Sequence, residues 1–281
     1  MDILLVRYAE MGLKSRPVRQ RFQEILKENI MEALAQTGEE ALISSDQGRI
    51  YVRPTTVQSA VGPVSRVFGV ASVSPALETS GDMEDIVSTA AHFSREVLSR
   101  GQRFAIRARR EGSHPFTSME VAREAGAEVL SHNLDREVSV DLSSPDVEIF
   151  IEVRENRAFV FDRYVQGPGG LPMGSQGRVV AVVRRERDLL AAWLMMKRGC
   201  RVAVFSTGQW WAPLERWAPD LRVETEGTLE GLIEDFKALG VVFGHTLEDM
   251  DRIVYDRYKV PSYHPLIGLS NEEIERRLEA V

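Results

Sequence analysis

One cysteine, Cys200, is all the thiol chemistry that 281 residues offer. A lone thiol excludes an intramolecular disulfide, a cysteine-rich zinc site and any in-chain cysteine pair. Such sparing use fits a reducing, cytoplasmic compartment. Apolar runs are equally short. None approaches the ~18 residues that a membrane span requires, so no membrane contact is expected. The opening residues Met1-Asp2-Ile3-Leu4-Leu5-Val6-Arg7 place an acid where a signal peptide has a basic stretch, and none is expected. Positive charge is not in surplus either. A net charge of −7 gives no bulk attraction for nucleic acid, so RNA contact would need a local basic face. His245 and His264 lack metal-ligand spacing and read as structural, and neither a metal nor a cofactor is expected.

What is present is patterned for two or three compact domains. Residues 3–8 form an apolar run of strand length. Ser15 and Pro17 suit a helix start, and Phe22, Ile25, Leu26, Ile30, Met31 and Leu34 recur at helical spacing up to Gly38. Residues 48–53 alternate like a strand, 57–68 read as a helix and 70–77 as a strand. Residues 1–77 therefore read β-α-β-α-β, a small α+β unit. Asp82 and Asp85 open a helix to about Leu98. Residues 104–109 alternate as a strand with arginines on one side. The capping box Thr117-Ser118-Met119-Glu120 starts a further helix. A short strand at 138–142 precedes a hairpin whose turn is Glu155-Asn156-Arg157.

Gly167-Pro168-Gly169-Gly170-Leu171-Pro172-Met173-Gly174-Ser175-Gln176-Gly177 then breaks all periodicity. The main boundary is placed here, as an ordered turn or a linker over 167–177. Beyond it strands at 179–183, 202–205 and 241–243 alternate with helices at 188–198, 229–239 and 246–258. Ser270-Asn271-Glu272-Glu273 caps a last helix. That rhythm predicts a parallel sheet with helices packed on it over 178–281.

Two basic clusters stand out: Arg7, Lys14, Arg16, Arg19 and Arg21, then Arg103, Arg107, Arg109 and Arg110. From composition the first reads as a solvated turn before it reads as a phosphate contact. The second is more telling, because a strand that delivers guanidinium groups beside a helix N-terminus makes an anion site. His114 in the intervening loop has no catalytic partner nearby and is assigned RNA contact alone. Thr117 and Ser118 complete the set.

Several stretches resemble tRNA 4-thiouridine synthetases (tRNA sulfurtransferases, also linked to thiamine thiazole biosynthesis). They are Arg7-Tyr8-Ala9-Glu10-Met11-Gly12-Leu13-Lys14, Arg66-Val67-Phe68-Gly69-Val70-Ala71-Ser72 and Phe104-Ala105-Ile106-Arg107-Ala108-Arg109-Arg110 with His114-Pro115-Phe116-Thr117-Ser118. Gly169-Gly170-Leu171-Pro172, Ala191-Ala192-Trp193-Leu194-Met195-Met196-Lys197-Arg198-Gly199 and Pro265-Leu266-Ile267-Gly268-Leu269 continue the match in the family's order. The resemblance implies a ferredoxin-like domain (1–77), a THUMP RNA-binding domain (78–166) and a shortened PP-loop-like, Rossmann-like parallel α/β domain (178–281). It implies tRNA as partner, gripped by the acceptor arm and CCA end, and a homodimer.

The departures from the family decide the expected function. A PP-loop carries S-G-G-x-D-S, whose glycines let backbone N–H groups approach a pyrophosphate. Counting back from Ala191-Ala192-Trp193, the six positions hold Val183, Arg184, Arg185, Glu186, Arg187 and Asp188. Two glycines are replaced by arginines and the acid by Arg187. ATP binding in the family's manner is not expected. Arg184, Arg185 and Arg187 offer a phosphate grip of their own, although Glu186 and Asp188 offset them and a solvated helix start is the plainer reading. The family's persulfide cysteine has no counterpart, since Cys200 abuts an apolar strand and reads as buried. Trp210, Trp211 and Trp217 read as packing of a shortened core or a dimer contact ahead of base stacking. The expectation is a tRNA-binding relative acting in tRNA modification, served by a sulfur-carrier or catalytic partner protein. The alternative is an active tRNA sulfurtransferase, making 4-thiouridine at position 8 through a divergent site or a partner.

Overall fold

The structure is a computed structural model, and the residues described are 1–8, 15–46, 48–253 and 257–281. The chain runs β1 (Ile3–Tyr8), α1 (Arg16–Ala35), β2 (Ala41–Asp46), β3 (Arg49–Pro54), α2 (Val57–Ser65), β4 (Val70–Ser80) and α3 (Met83–Val97). It continues β5 (Arg103–Glu111), α4 (Ser118–His132), β6 (Ser139–Val140), β7 (Val147–Arg154), β8 (Arg157–Phe161) and β9 (Val165–Gln166). The remainder is β10 (Arg178–Val182), α5 (Glu186–Lys197), β11 (Arg201–Phe205), β12 (Val223–Glu224), α6 (Leu229–Phe236), β13 (Val241–Phe243), β14 (Ser262–Tyr263) and α7 (Asn271–Leu278). Two compact units result: Met1–Val6, Glu39–Val61 and Ser72–Gln166 make the first, and Arg7–Gly38, Gly62–Ala71 and Gly167–Val281 the second.

The first unit is built on a sheet of order β2-β3-β1-β4-β8-β7-β5-β6, with β9 pairing β4. β5 lies parallel to β7 and β6, a pairing that requires a crossover, and α4 provides it. Ile86, Ala90 and Phe93 of α3 pack with Val121, Ala125 and Val129 of α4 over Phe104, Ile106, Ile149 and Ile151. A second cluster joins Ile3 and Leu5 to Tyr51, Phe159 and Phe161. Beside it Arg154, only 5% exposed, contacts Asp46 at 3.3 Å, Glu152 at 3.2 Å and Glu111, so the buried guanidinium is surrounded by carboxylates.

The second unit holds a five-stranded sheet of order β12-β11-β10-β13-β14, parallel throughout. Along β10, Val180 and Val182 face α6, while Val179, Ala181 and Val183 pack toward α5. Strands buried on both faces are expected of a parallel sheet. Phe68, Trp193 and Trp217 form a triangle with ring centroids 5.3–5.6 Å apart. Trp211 packs against the same core, whereas Trp210 is exposed. Cys200 is buried, and burial pushes its thiol above the ordinary range.

The glycine-rich segment 167–177 is tied into this unit. Gly169 N–H donates to Val70 O, Leu171 N–H to Lys197 O, and Gly174 and Gln176 N–H both to Gly199 O. The buried Asn29 amide of α1 donates to Met173 O at 3.0 Å. Gly170 has φ +75°, and an added Cβ would lie 2.1 Å from Lys197 O.

Three local expectations are corrected. Residues 1–77 contain an additional strand, β2, pairing antiparallel with β3. Its half-exposed edge position and polar end leave no buried periodicity to read. The helix expected over 246–258 is a short 3-10 turn at Leu247–Arg252, and 254–256 lie outside the described residues. Ser15 precedes α1 without a side-chain cap bond.

Gly170→Ala is expected to destabilise the protein by about 2–4 kcal/mol, from left-handed strain and the backbone clash together. Gly268→Ala, with nothing within 4 Å of the new Cβ, should cost no more than about 0.5 kcal/mol. Denaturant titration of both variants is the check.

Candidate nucleic-acid interface and phosphate loop

The first unit places its basic residues on β5. Phe104 and Ile106 point into the core, so Arg103, Arg107 and Arg109 share the opposite face. Two of these charges are already met. Arg103 pairs with Asp141 at 3.0 Å and Asp146 at 2.9 Å. Arg107 pairs with Glu148 at 2.6 Å and donates to Leu142 O at 2.9 Å. Arg109 is exposed and in no ion pair among the described residues. Arg110, also exposed, donates to Gly112 O at 3.1 Å.

Arg107, Arg109 and Ser118 line one open cavity of about 480 Å3 between β5 and the start of α4, with Met119 and Phe150. The other expected residues of this region lie outside it. His114 stacks on Phe116 with centroids 5.5 Å apart, and its Nε2 lies 3.0 Å from Glu111 O. Thr117 is engaged as the cap of α4: its hydroxyl accepts from Glu120 N–H, and its own N–H donates to the Glu120 carboxylate at 2.7 Å. Those Thr117 bonds hold the Glu120 carboxyl below its ordinary range. The start of α4 thus carries its own anion, which weakens it as a phosphate site and leaves the arginines as the attractive groups.

The first basic cluster falls largely in the second unit. Arg16 is exposed and Arg19 half-buried at the start of α1, and neither is in an ion pair among the described residues. Lys14 lies outside the described residues.

In the second unit, Val183 to Asp188 form the turn between β10 and α5, the position at which an α/β sheet cradles phosphate. Here the turn is filled from within. Asp188, 6% exposed, accepts from Arg184 N–H at 2.9 Å and from Arg185 N–H at 3.2 Å. The close approach of β13 depends on Gly244, where a Cβ would sit 2.1 Å from Asp188 Oδ1. Arg187 bonds the Asp249 carboxylate, and Arg185 lies 3.7 Å from both Asp188 and Asp249. Glu186 opens α5 at the surface, and Val183 is wholly buried. Burial would raise the Asp249 carboxyl, but the Thr246 N–H bond and the Arg187 and Arg185 charges outweigh it and hold the group below its usual range.

Sequence reasoning missed Asp249 and the meeting of His245 with His264, whose Nδ1 atoms are 3.1 Å apart. The Thr246–Asp249 capping pattern could have marked the first. Nothing local signals the second.

Residues 3–74 match the ThiI ferredoxin-like domain and residues 80–162 the THUMP domain. A Methanosarcina acetivorans protein named probable tRNA sulfurtransferase is 34% identical over 330 aligned positions, covering 97% of this chain and 79% of that protein. That alignment is longer than the 281-residue chain, so the relative carries inserted stretches without a counterpart here. A Methanobrevibacter smithii protein of the same name is 41% identical over 209 residues, and the matched part spans 72% of this chain but about half (52%) of that relative. The crystal structure of PH1313 from Pyrococcus horikoshii is similar with a TM-score of 0.86 and 32% identity, covering 100% of this chain and 99% of that one. A 4-thiouridine synthetase solved with RNA and bound ATP shares the fold at TM-score 0.77 and 20% identity, covering 100% and 84%.

The depressed Asp249 carboxyl makes a pH prediction. Its contribution is fully present above the unfolded carboxyl value of about 3.9 and is lost as pH falls through the lower folded value. The stability gap between the wild type and Asp249→Asn should therefore be constant from neutral pH down to mild acid and close below it. A gap unchanged into strong acid, in denaturant titrations across pH, would remove this role.

Proposed function

The chain belongs to the tRNA sulfurtransferase family, and from that premise we propose that it binds tRNA in the service of modification without adenylating the RNA itself. The observation that carries this reading is the Asp188 carboxylate on the Arg184 and Arg185 N–H groups. A nucleotide phosphate laid on those donors would have to displace a buried, hydrogen-bonded anion and then face Asp249 as well. The residues present do not fit ATP in that turn. A buried thiol with a raised pKa is likewise a poor persulfide carrier. Sulfur and adenylating chemistry then fall to a partner protein in the cytoplasm.

For the RNA-binding half, the exposed Arg109 and Arg110 supply phosphate contacts at the edge of the cavity that holds Arg107 and Ser118, and Arg16 and Arg19 supply further ones. Arg103 is fixed by two aspartates and acts chiefly as a strut for β5. Because each phosphate contact releases counterions, affinity should fall steeply with salt.

A tRNA titration at several salt concentrations, with and without ATP, tests both halves. Binding should be indifferent to ATP. Arg109→Glu should weaken it several-fold and lower the salt slope by about 1. Unchanged affinity in Arg109→Glu would remove the interface. ATP-dependent adenylate on the RNA would instead establish an active sulfurtransferase with a divergent site.

A further inference from the structure

We propose that the cavity outside the carboxyl ends of β10, β13 and β14 binds a phosphate monoester, gripped by Arg184, Arg257 and the His245–His264 pair. Open α/β sheets take their ligands outside the strand carboxyl ends, where neighbouring strands connect in opposite directions. In the order β12-β11-β10-β13-β14 that point lies between β10 and β13. Asp188 fills the side toward α5. The open side is a cavity of about 170 Å3, lined by Arg184, His245, Arg257, Tyr258, Ser262 and His264. That volume admits a phosphate and the first atoms of its ester, not a nucleic-acid backbone running through.

The walls suit an anion. Among the described residues neither Arg184 nor Arg257 is in an ion pair, and Arg257 lies 5.5 Å from the centre of the Tyr258 ring. Asp188 and Asp249, whose charges act on His245, are held by backbone N–H groups and by Arg185 and Arg187. Phe243, His245 and His264 present near-parallel rings, with centroids 5.0–5.8 Å apart. An Nδ1–Nδ1 distance of 3.1 Å requires one proton between the two imidazoles. In the neutral pair one Nε2 then donates and the other accepts; a second proton makes both Nε2 atoms donors. His264 Nε2 is buried and has no hydrogen-bond partner among the described residues, a cost that a ligand oxygen would relieve. Burial holds both rings below the ordinary histidine range, with Asp249 and Asp188 opposing the effect at His245 and the neighbouring His245 reinforcing it at His264. A bound dianion would favour uptake of the second proton. Cation binding is the weaker alternative, since two arginines face the cavity and no set of three metal-ligating side chains exists among the described residues.

Long-range proton–nitrogen NMR of the histidine rings in the full chain tests the proposal, with inorganic phosphate, adenosine 5′-monophosphate and adenosine as probes. Phosphate and the monophosphate should shift His245 and His264 but not His92, His114 or His132, and adenosine should shift none. Arg184→Ala, at an exposed side chain, should weaken the response by about tenfold. Loss of the phosphate response on adding 5′-phosphorylated but not dephosphorylated tRNA would identify an RNA end as the source. If neither tRNA displaces phosphate, a free mononucleotide is the ligand. Absence of a shift, an equal shift at all five histidines, or a response unaffected by both Arg184→Ala and Arg257→Ala would overturn the site. These readouts do not require tRNA to bind, so the proposal fails or holds separately from the function above.

Discussion

Asp188 stands where β10 turns into α5, and the second unit is arranged around its carboxylate. A helix start presents backbone N–H groups that must find acceptors, and here the first of them are satisfied by a side chain three and four residues on. Placing that anion in a buried turn demands room and compensation. Gly244 supplies the room, since any side chain there would strike the carboxylate. Compensation comes from the helix start itself and from Arg185, while Arg187 and Arg185 balance the neighbouring Asp249. What would be a phosphate cradle is thereby an internal charge cluster, and the crevice beside it opens toward β14 instead.

A similar neutralisation runs through the first unit. β5 carries four arginines in a chain whose net charge is −7, yet among the described residues it is those near its carboxyl end that lack a carboxylate partner. Arg103 and Arg107 are held by acids from the β6–β7 region, which lies beside β5 in the sheet. The local field is therefore narrower than a count of basic residues suggests, and it centres on Arg109 and Arg110.

Sequence alone discloses the elements whose signals are local. The Thr117–Glu120 and Ser270–Glu273 patterns cap α4 and α7 as read, and β10, α5 and β11 lie where the alternation of short apolar runs and helical stretches placed them. β2 escapes because an edge strand with half-exposed residues has no buried alternation. The helix expected after Thr246 is a short 3-10 turn, in which the unread Asp249 carboxylate takes the Thr246 N–H and bonds Arg187. At the site, the altered loop residues were legible, but not that Asp188 would fold back upon the loop. The His245–His264 pair was illegible for a different reason: the register Val242↔Tyr263 brings them together, and it arises from a strand of two residues.

The polypeptide passes between the two units several times, with α1 assigned to the second although the strands on either side of it belong largely to the first. Residues 1–166 are consequently not a transplantable cassette, despite containing both recognisable N-terminal modules. A fragment cut there would keep Asn29 but lose the Met173 carbonyl that its buried amide bonds. It would also lose Trp193 and Trp217 from around Phe68. Recombination within this lineage would be expected to preserve the whole chain more readily than to exchange its halves.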